Sequence, residues 1–235
     1  MIEKINQFLF GTSPMEQPTV RPTLTSQQLM QQMALREQVM QQNPKAATRT
    51  SKLIVVLGAN GTGKTTFIKQ VCAATRQRIL IITPDDTEYN EVDAYGNALY
   101  PMNELRTKQD FMFDGVCRHI FDPQWTTRVL HNFKCGIIVF DDCRAYFPAR
   151  TEQVIHELMI RRRQREVDMI AVGHGFTEVP PKFFTFATDY VLFRTEDSID
   201  TRKPYIRSFE KVKKMQETVN KRAKRDPHYH RRMKQ

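Results

Sequence analysis

A glycine-rich stretch that ends in a lysine and a threonine is the part of this chain best suited to binding phosphate. Residues 58–65 read G-A-N-G-T-G-K-T and match the phosphate-binding loop G-x-x-x-x-G-K-[ST] in full. Residues 52–57 before it are apolar and β-branched, which predicts a buried parallel strand, and residues 65–74 after it predict a helix. Backbone N–H groups in such a loop surround a polyphosphate, and the helix dipole favours the anion. The loop therefore predicts a nucleotide site and a P-loop NTPase.

The residues of this loop divide the work of holding a nucleotide. Lys64 is placed to reach the β- and γ-phosphates, and Thr65 to ligate Mg²⁺. GTPases with this loop also carry N-K-x-D on a late strand, whereas N-K-R-A at 220–223 falls in a predicted tail helix, so ATP is the predicted nucleotide. We expect the nucleotide to contact Gly58, Ala59, Asn60, Gly61, Thr62, Gly63, Lys64, Thr65 and Thr66.

A second motif lies 77 residues after Lys64, where residues 136–142 read G-I-I-V-F-D-D. An apolar strand that ends in an acid is the Walker B pattern, in which Asp141 would hold Mg²⁺ through water. Asp142 stands where such ATPases place the carboxylate that orients the attacking water. Many of them use Glu there, so an Asp predicts either slow turnover or a base elsewhere, with Asp85 and Asp86 at the end of another predicted strand as the alternatives.

His174 lies between two glycines at the end of a strand predicted over 168–172. A polar side chain at that position can sense the γ-phosphate or position water, and glycines on either side let the backbone approach a ligand. A structural histidine is the plain alternative. We predict that His174 belongs to the catalytic site.

Several arginines cluster near the end of a helix predicted over 151–165, before the strand that leads to His174. Cations at a helix C-terminus are favourable in themselves. The functional alternative is an arginine finger that enters the ATP site of a neighbouring subunit. Arg162 and Arg163 are the first candidates for that role, and Arg144 and Arg150 remain open.

Strands and helices alternate along the rest of the chain. The sequence predicts strands over 52–57, 78–83, 136–140, 168–172 and 189–193, and helices over 65–74, 123–133, 151–165, 181–187 and 209–224. Residues 93–121 read as irregular. This order predicts an α/β fold, a three-layer sandwich with a mostly parallel central sheet and helices on both faces.

Composition divides the chain into three parts: an arm over 1–50 rich in Gln, Met and Pro, an ATPase domain over 51–201, and a basic helix and tail over 202–235. The arm predicts one short helix within 26–42. The tail holds 13 Lys and Arg against 3 acids, an excess that equals the net charge of +10 for the whole chain. That asymmetry favours an anionic polymer such as DNA as partner, against the alternative of a solvated charged helix.

The remaining composition points to a soluble cytoplasmic protein. No apolar run approaches the roughly 18 residues of a membrane-spanning helix, and residues 1–10 do not resemble a secretory signal. The four cysteines are scattered without a C-x-x-C pair, which argues against zinc and a disulfide framework. We expect them to be reduced thiols.

The order of these parts resembles the FtsK–HerA superfamily of ring-forming, DNA-pumping ATPases. The resemblance covers residues 52–194 and rests on G-A-N-G-T-G-K-T, I-I-V-F-D-D, the Arg-rich helix, D-M-I-A-V-G-H-G-F and Y-V-L-F-R. The compact size is similar to the genome-packaging ATPases of membrane-containing phages. The stretch D-D-C-R-A-Y-F and the basic helix also resemble Zot-type assembly proteins of filamentous phages, which usually carry a transmembrane helix. Asp142 in place of Glu and His174 in place of Gln are departures.

The resemblance implies a viral packaging motor. Subunits would form a ring, as a hexamer, with ATP and Mg²⁺ between neighbours and DNA gripped in the central pore. The arm would contact capsid or portal-vertex proteins, and the protein would act in the host cytoplasm or within the virion at a packaging vertex. Three rivals remain: a Zot-like assembly ATPase that does not pump DNA, a small-molecule kinase, and a scaffold that uses ATP as a switch.

Overall fold

One sheet organises the computed structural model, which describes Gln31 and residues 51–107, 109–146 and 149–235. Its seven strands lie in the spatial order 3-2-4-5-1-6-7, numbered along the chain. They are β1 (Leu53–Leu57), β2 (Ile79–Thr83), β3 (Val116–Ile120), β4 (Gly136–Phe140), β5 (Val167–Gly173), β6 (Asp189–Leu192) and β7 (Arg231–Lys234). The first six are parallel, and β7 joins β6 in antiparallel register. The predicted α/β fold with a mostly parallel sheet is confirmed.

Helices lie between the strands, as the alternating pattern predicts. Those described are α1 (Lys64–Ala74), α2 (Pro123–Asn132), α3 (Ala149–Arg161), α4 (Pro181–Phe186) and α5 (Phe209–Arg222). Helix α2 begins where the sequence predicts because the Asp122 side chain accepts hydrogen bonds from the N–H groups of Gln124 and Trp125. Helix α3 ends at Arg161, earlier than predicted, because the chain turns there and the N–H of Val167 donates to the carbonyl of Arg162.

The two faces of the sheet carry two separate apolar cores. Side chains alternate along each strand, so Ile54 and Val56 of β1 point to one face and Leu53, Val55 and Leu57 to the other. Helix α1 covers the first face with Phe67, Ile68 and Val71, while α2 to α5 cover the second. All five residues of β1 are buried, as expected for a strand sandwiched between helix layers.

Two strands were not predicted from the sequence. Strand β3 lies in the stretch that the sequence predicts to be irregular. It was not predicted because Arg118 and His119 interrupt the apolar run of V-C-R-H-I, although His119 is buried in the structure. Strand β7 reads R-R-M-K, a composition that indicates only a basic tail. It forms an edge of the sheet, and its Arg232 is neutralised by Asp189 of β6, with both side chains under 5% exposed.

Three further expectations concern the helix in the arm, the state of the cysteines and membrane-spanning helices. The helix predicted within 26–42 lies outside the described residues, apart from Gln31. All four cysteines are free thiols, and three of them are buried. Among the residues described, no helix combines the length and the apolar character needed to cross a membrane.

Candidate nucleotide site

The predicted site residues meet at one edge of the sheet. Because β1, β2, β4 and β5 are parallel and adjacent, the residues that follow their carboxyl ends converge on one crevice. A cavity of about 560 Å³ occupies this crevice. From the predicted set it is lined by Asn60, Gly61, Gly63, Lys64, Thr65, Thr66, Asp141, Asp142 and His174. Gly58, Ala59 and Thr62 complete the loop behind that lining.

The loop has the backbone shape that a phosphate cradle needs. Gly61 and Gly63 have φ angles of 74° and 98°, in the left-handed region that favours glycine. The N–H of Gly58 donates to the carbonyl of Gly173 at 3.2 Å, which ties the loop to the end of β5. A Cβ on Gly58 would lie 2.5 Å from Cβ of Phe193, so the glycine allows the loop to pack against the end of β6.

The side chain of Lys64 folds back over the loop and donates hydrogen bonds to its backbone carbonyls. Its Nζ donates to the carbonyls of Gly58 at 2.6 Å and Ala59 at 3.0 Å. It also lies 3.2 Å from Nδ1 of His174. An ammonium only donates, so Nδ1 of His174 is the acceptor in this contact. Burial lowers the pKa of Lys64, while Asp141, Asp142 and Glu178 oppose that shift.

Asp141 follows the carboxyl end of β4. Its Oδ2 accepts a hydrogen bond from the hydroxyl of Tyr89 at 2.9 Å. Burial raises the pKa of Asp141, with the Tyr89 hydrogen bond and Lys64 acting in the opposite direction. Asp141 and the Thr65 hydroxyl line the same cavity. A carboxylate and a hydroxyl are oxygen donors of the kind that Mg²⁺ prefers, so these two residues fit the predicted magnesium site.

Asp142 sits in a backbone conformation that is uncommon for a residue with a side chain. Its φ is 53°, which aspartate tolerates better than most residues do. Its buried Oδ1 has no hydrogen-bond partner among the described residues. Buried carboxylate oxygens are costly without a donor, so this atom is suited to a substrate water.

Glu178 joins Asp142 and His174 in a cluster that sequence reasoning missed. The three side chains each offer a ligand atom, and these atoms lie within 4.8 Å of one another. Glu178 accepts from the backbone N–H of His174 at 3.2 Å and lies 3.5 Å from the guanidinium of Arg144. The only sequence signal was its position four residues after His174. Tyr89 was missed too, because it belongs to a loop with no recognisable motif.

The alternative acids lie less favourably. Asp85 lines the cavity, but its carboxylate accepts hydrogen bonds from the N–H and hydroxyl of Thr87, which lower its pKa. Asp86 is exposed and does not line the cavity. Neither reaches the cluster formed by Asp142, His174 and Glu178.

Arg162 and Arg163 are not brought to this cavity. They lie in the turn before β5, at the amino edge of the sheet, whereas the cavity lies at the carboxyl edge. Arg162 donates to the carbonyl of Met159 at 2.6 Å, and its own carbonyl accepts from the hydroxyl of Ser51. A role in catalysis for either arginine therefore requires the site of another subunit. Arg144 lies beside Glu178 at the carboxyl edge of the sheet. The side chain of Arg150 lies outside the described residues.

Similar folds are found among solved structures. No protein-family model and no curated protein matches the chain. The genome packaging NTPase B204 from Sulfolobus turreted icosahedral virus 2, in complex with AMPPCP, aligns with a TM-score of 0.53 and 15% identity over 78% of this chain and 97% of its own. The same NTPase in complex with sulfate gives 0.51 and 17% over 69% and 86%.

A second neighbour is more distant. The N-terminal domain of zonular occludens toxin from Neisseria meningitidis gives a TM-score of 0.35 and 12% identity over 62% of this chain and 78% of its own, a likeness too weak to add support. The similarity to B204 covers most of both chains, and at this identity it establishes the fold. The fold implied by the sequence resemblance is therefore confirmed.

Proposed function

We propose that this chain is an ATPase that moves DNA, as the motor that packages a viral genome. The observation that carries the proposal is the meeting of Lys64, Asp141, Asp142 and His174 around one cavity, beside a complete phosphate-binding loop. The fold shared with a viral packaging NTPase supports the same function.

Hydrolysis would follow from the arrangement of these side chains. Lys64 would leave the carbonyls of Gly58 and Ala59 for the β- and γ-phosphates of ATP. The oxygen of a water held by Asp142 would attack the γ-phosphorus, the bond to the bridging oxygen of ADP would break, and Asp142 would accept the proton. Mg²⁺ held by Thr65 and Asp141 would neutralise charge on the phosphates. His174, through its contact with Lys64, would sense whether the γ-phosphate is present.

DNA binding is proposed for the exposed cations of the C-terminal segment. Not all of its basic residues are available, since Arg202 donates to the carbonyls of Phe176 and Thr177, and Arg232 pairs with Asp189. Helix α5 buries Val212, Met215 and Val219 against the sheet and exposes a face with four basic residues and two acids, Glu210 and Glu217. That face contains Lys211, Lys214, Lys221 and Arg222. Contacts of this kind to phosphate are independent of sequence and weaken with salt.

The assembly is part of the same proposal. Subunits form a ring, as a hexamer, and an arginine of one subunit completes the ATP site of the next. Arg162 and Arg163 lie at the amino edge of the sheet, so the proposal requires that this edge faces the neighbour's cavity. The N-terminal arm contacts capsid or portal-vertex proteins, and the motor acts in the host cytoplasm or at a vertex of the virion.

ATP hydrolysis with and without DNA, at two salt concentrations, tests the proposal. We expect hydrolysis that requires Mg²⁺, rises with DNA and loses that stimulation at high salt. Lys64→Ala abolishes hydrolysis in this scheme, and Lys134→Ala, at an exposed position outside the cavity, is the matched control. Hydrolysis that ignores DNA would point instead to a Zot-like assembly ATPase. A phosphorylated small-molecule product would point to a kinase, and unchanged turnover in Lys64→Ala would refute the site.

A further inference from the structure

A second, smaller cavity adjoins the nucleotide site on the far side of the loop from Asp141. Its volume is about 160 Å³, and Gly63 and His228 line both cavities. The two spaces therefore meet at the last glycine of the phosphate-binding loop. No motif predicts this second cavity.

The walls of this smaller cavity are aromatic. The rings of Phe193 and His230 stack with centroids 4.7 Å apart and planes at 29°. Phe67 meets both rings edge-on, at 6.1 Å from Phe193 and 5.5 Å from His230. Thr66 and Gln70 of helix α1 supply a polar rim. Flat π-surfaces with a few polar groups at the edge are the chemistry that binds a nucleobase.

The two histidines come from the far end of the chain and are held firmly in place. They precede β7, which pairs with β6, and Arg232 anchors that strand through its buried ion pair with Asp189. A turn upstream is fixed as well, since Asp226 accepts from the N–H groups of His228 and Tyr229. The ring of His228 lies 3.2 Å from where a Cβ on Gly63 would stand. The aromatic wall is thus part of the folded sheet edge.

We propose that this cavity, lined by Phe67, Phe193, His228 and His230, binds the purine base of the nucleotide whose phosphates lie on the loop. This inference rests on the proposed function, because it takes ATP as the ligand. The base lies on one side of Gly63 and the phosphates on the other, and the ribose lies beside Thr66, which also lines both cavities. The C-terminal segment, whose charge suggests only a DNA contact, then also forms part of the nucleotide site.

Comparing ATP with inorganic tripolyphosphate separates the base from the phosphates. We expect the full chain, measured by calorimetry with Mg²⁺, to bind ATP about 10- to 100-fold more tightly than tripolyphosphate, since base–aromatic stacking contributes on that order. The double variant His228→Ala, His230→Ala should lose most of this preference and keep its affinity for tripolyphosphate. His230→Phe preserves a flat ring against Phe193 and should keep the affinity for ATP.

The controls make each failure distinct. His131→Ala changes an exposed histidine of helix α2, outside both cavities, and should leave both affinities unchanged. A double variant that retains the full preference for ATP would overturn the base site while leaving the phosphate site standing. Loss of both ligands in the double variant would also overturn it, because the histidines would then act on the loop. A wild-type chain that binds neither ligand would refute the proposed function itself.

Discussion

The ion pair between Arg232 and Asp189 holds the last strand, β7, to its neighbour β6 in the sheet. Two nitrogens of the Arg232 guanidinium, Nε and Nη2, donate to Oδ1 of Asp189 at 2.9 and 2.5 Å. The side chains are 3% and 4% exposed. Replacing Arg232 with alanine would leave a buried carboxylate without its main counter-charge. We predict that Arg232→Ala destabilises the fold strongly although it changes a residue at the edge of the sheet.

The magnitude follows from what remains around Asp189. Breaking a buried pair by removing one partner costs about 3–5 kcal/mol. The hydroxyl of Thr188 still donates to Asp189 at 2.8 Å, and Lys52 is close enough to attract its charge. The loss should therefore fall near the lower end, about 3 kcal/mol. At roughly 2–4 °C per kcal/mol for a domain of this size, Tm should fall by about 6–12 °C.

Thermal unfolding of the full chain, followed by circular dichroism, measures this loss. The matched control is Arg231→Ala, an exposed arginine on the same strand, which should change the stability by less than about 0.5 kcal/mol. Replacing both partners, with Arg232→Met and Asp189→Leu, should restore most of the stability because no buried charge is left unpaired. If the Arg232→Ala variant had the same Tm as the Arg231→Ala variant, the buried pair would contribute nothing to stability and the reasoning would be refuted.

Three further outcomes are expected. Asp142→Asn should bind ATP normally but hydrolyse it about 10²–10⁴-fold more slowly in single-turnover assays, and a full rate would move the base elsewhere. Glu178→Gln should lower kcat more than it raises KM, whereas the exposed Glu196→Gln should change neither; equal behaviour of the two variants would remove Glu178 from the site. Replacing basic residues of α5 with alanine should make the slope of log affinity against log salt concentration shallower by about 0.9 for each phosphate contact that is lost. An unchanged slope would place the DNA elsewhere. The residues replaced are Lys211, Lys214, Lys221 and Arg222.

The fold and the centre of the site could be predicted because they follow from local rules. A buried strand, a glycine-rich loop and a helix are contiguous in sequence, so the phosphate-binding loop is recognisable without tertiary information. Asp141, Asp142 and His174 follow the ends of predicted parallel strands. The carboxyl ends of parallel strands share one edge of a sheet, which brings these residues to the loop.

The rest depends on pairings between distant parts of the chain. Tyr89 reaches Asp141 from a loop with no periodicity, and Glu178 lies near Asp142 because its carboxylate accepts from the N–H of His174, just after β5. Strand β7 was hidden because three of its four residues are charged, and its buried arginine is neutralised only by a residue 43 positions earlier. None of these contacts leaves a pattern in the local sequence.

The position of the arginine cluster follows from the connectivity of the chain. A helix that leads into a parallel strand must return to the amino edge of the sheet, because the strand then runs to the carboxyl edge. Arg162 and Arg163 precede β5, so that rule alone places them away from the loop of their own chain. Their proposed catalytic role therefore depends on the proposed ring, whereas Lys64, Asp142 and His174 meet within one subunit.

The C-terminal segment contains residues that are proposed to bind each of the two ligands. His228 lines both cavities and His230 the smaller one, while Arg225 and Arg231 lie a few residues away with exposed side chains. A polyanion held by those arginines would act on the same short segment, residues 225–231, that contains the two histidines. Coupling between two sites is reciprocal, so a DNA contact that tightens ATP binding must be tightened by ATP to the same degree.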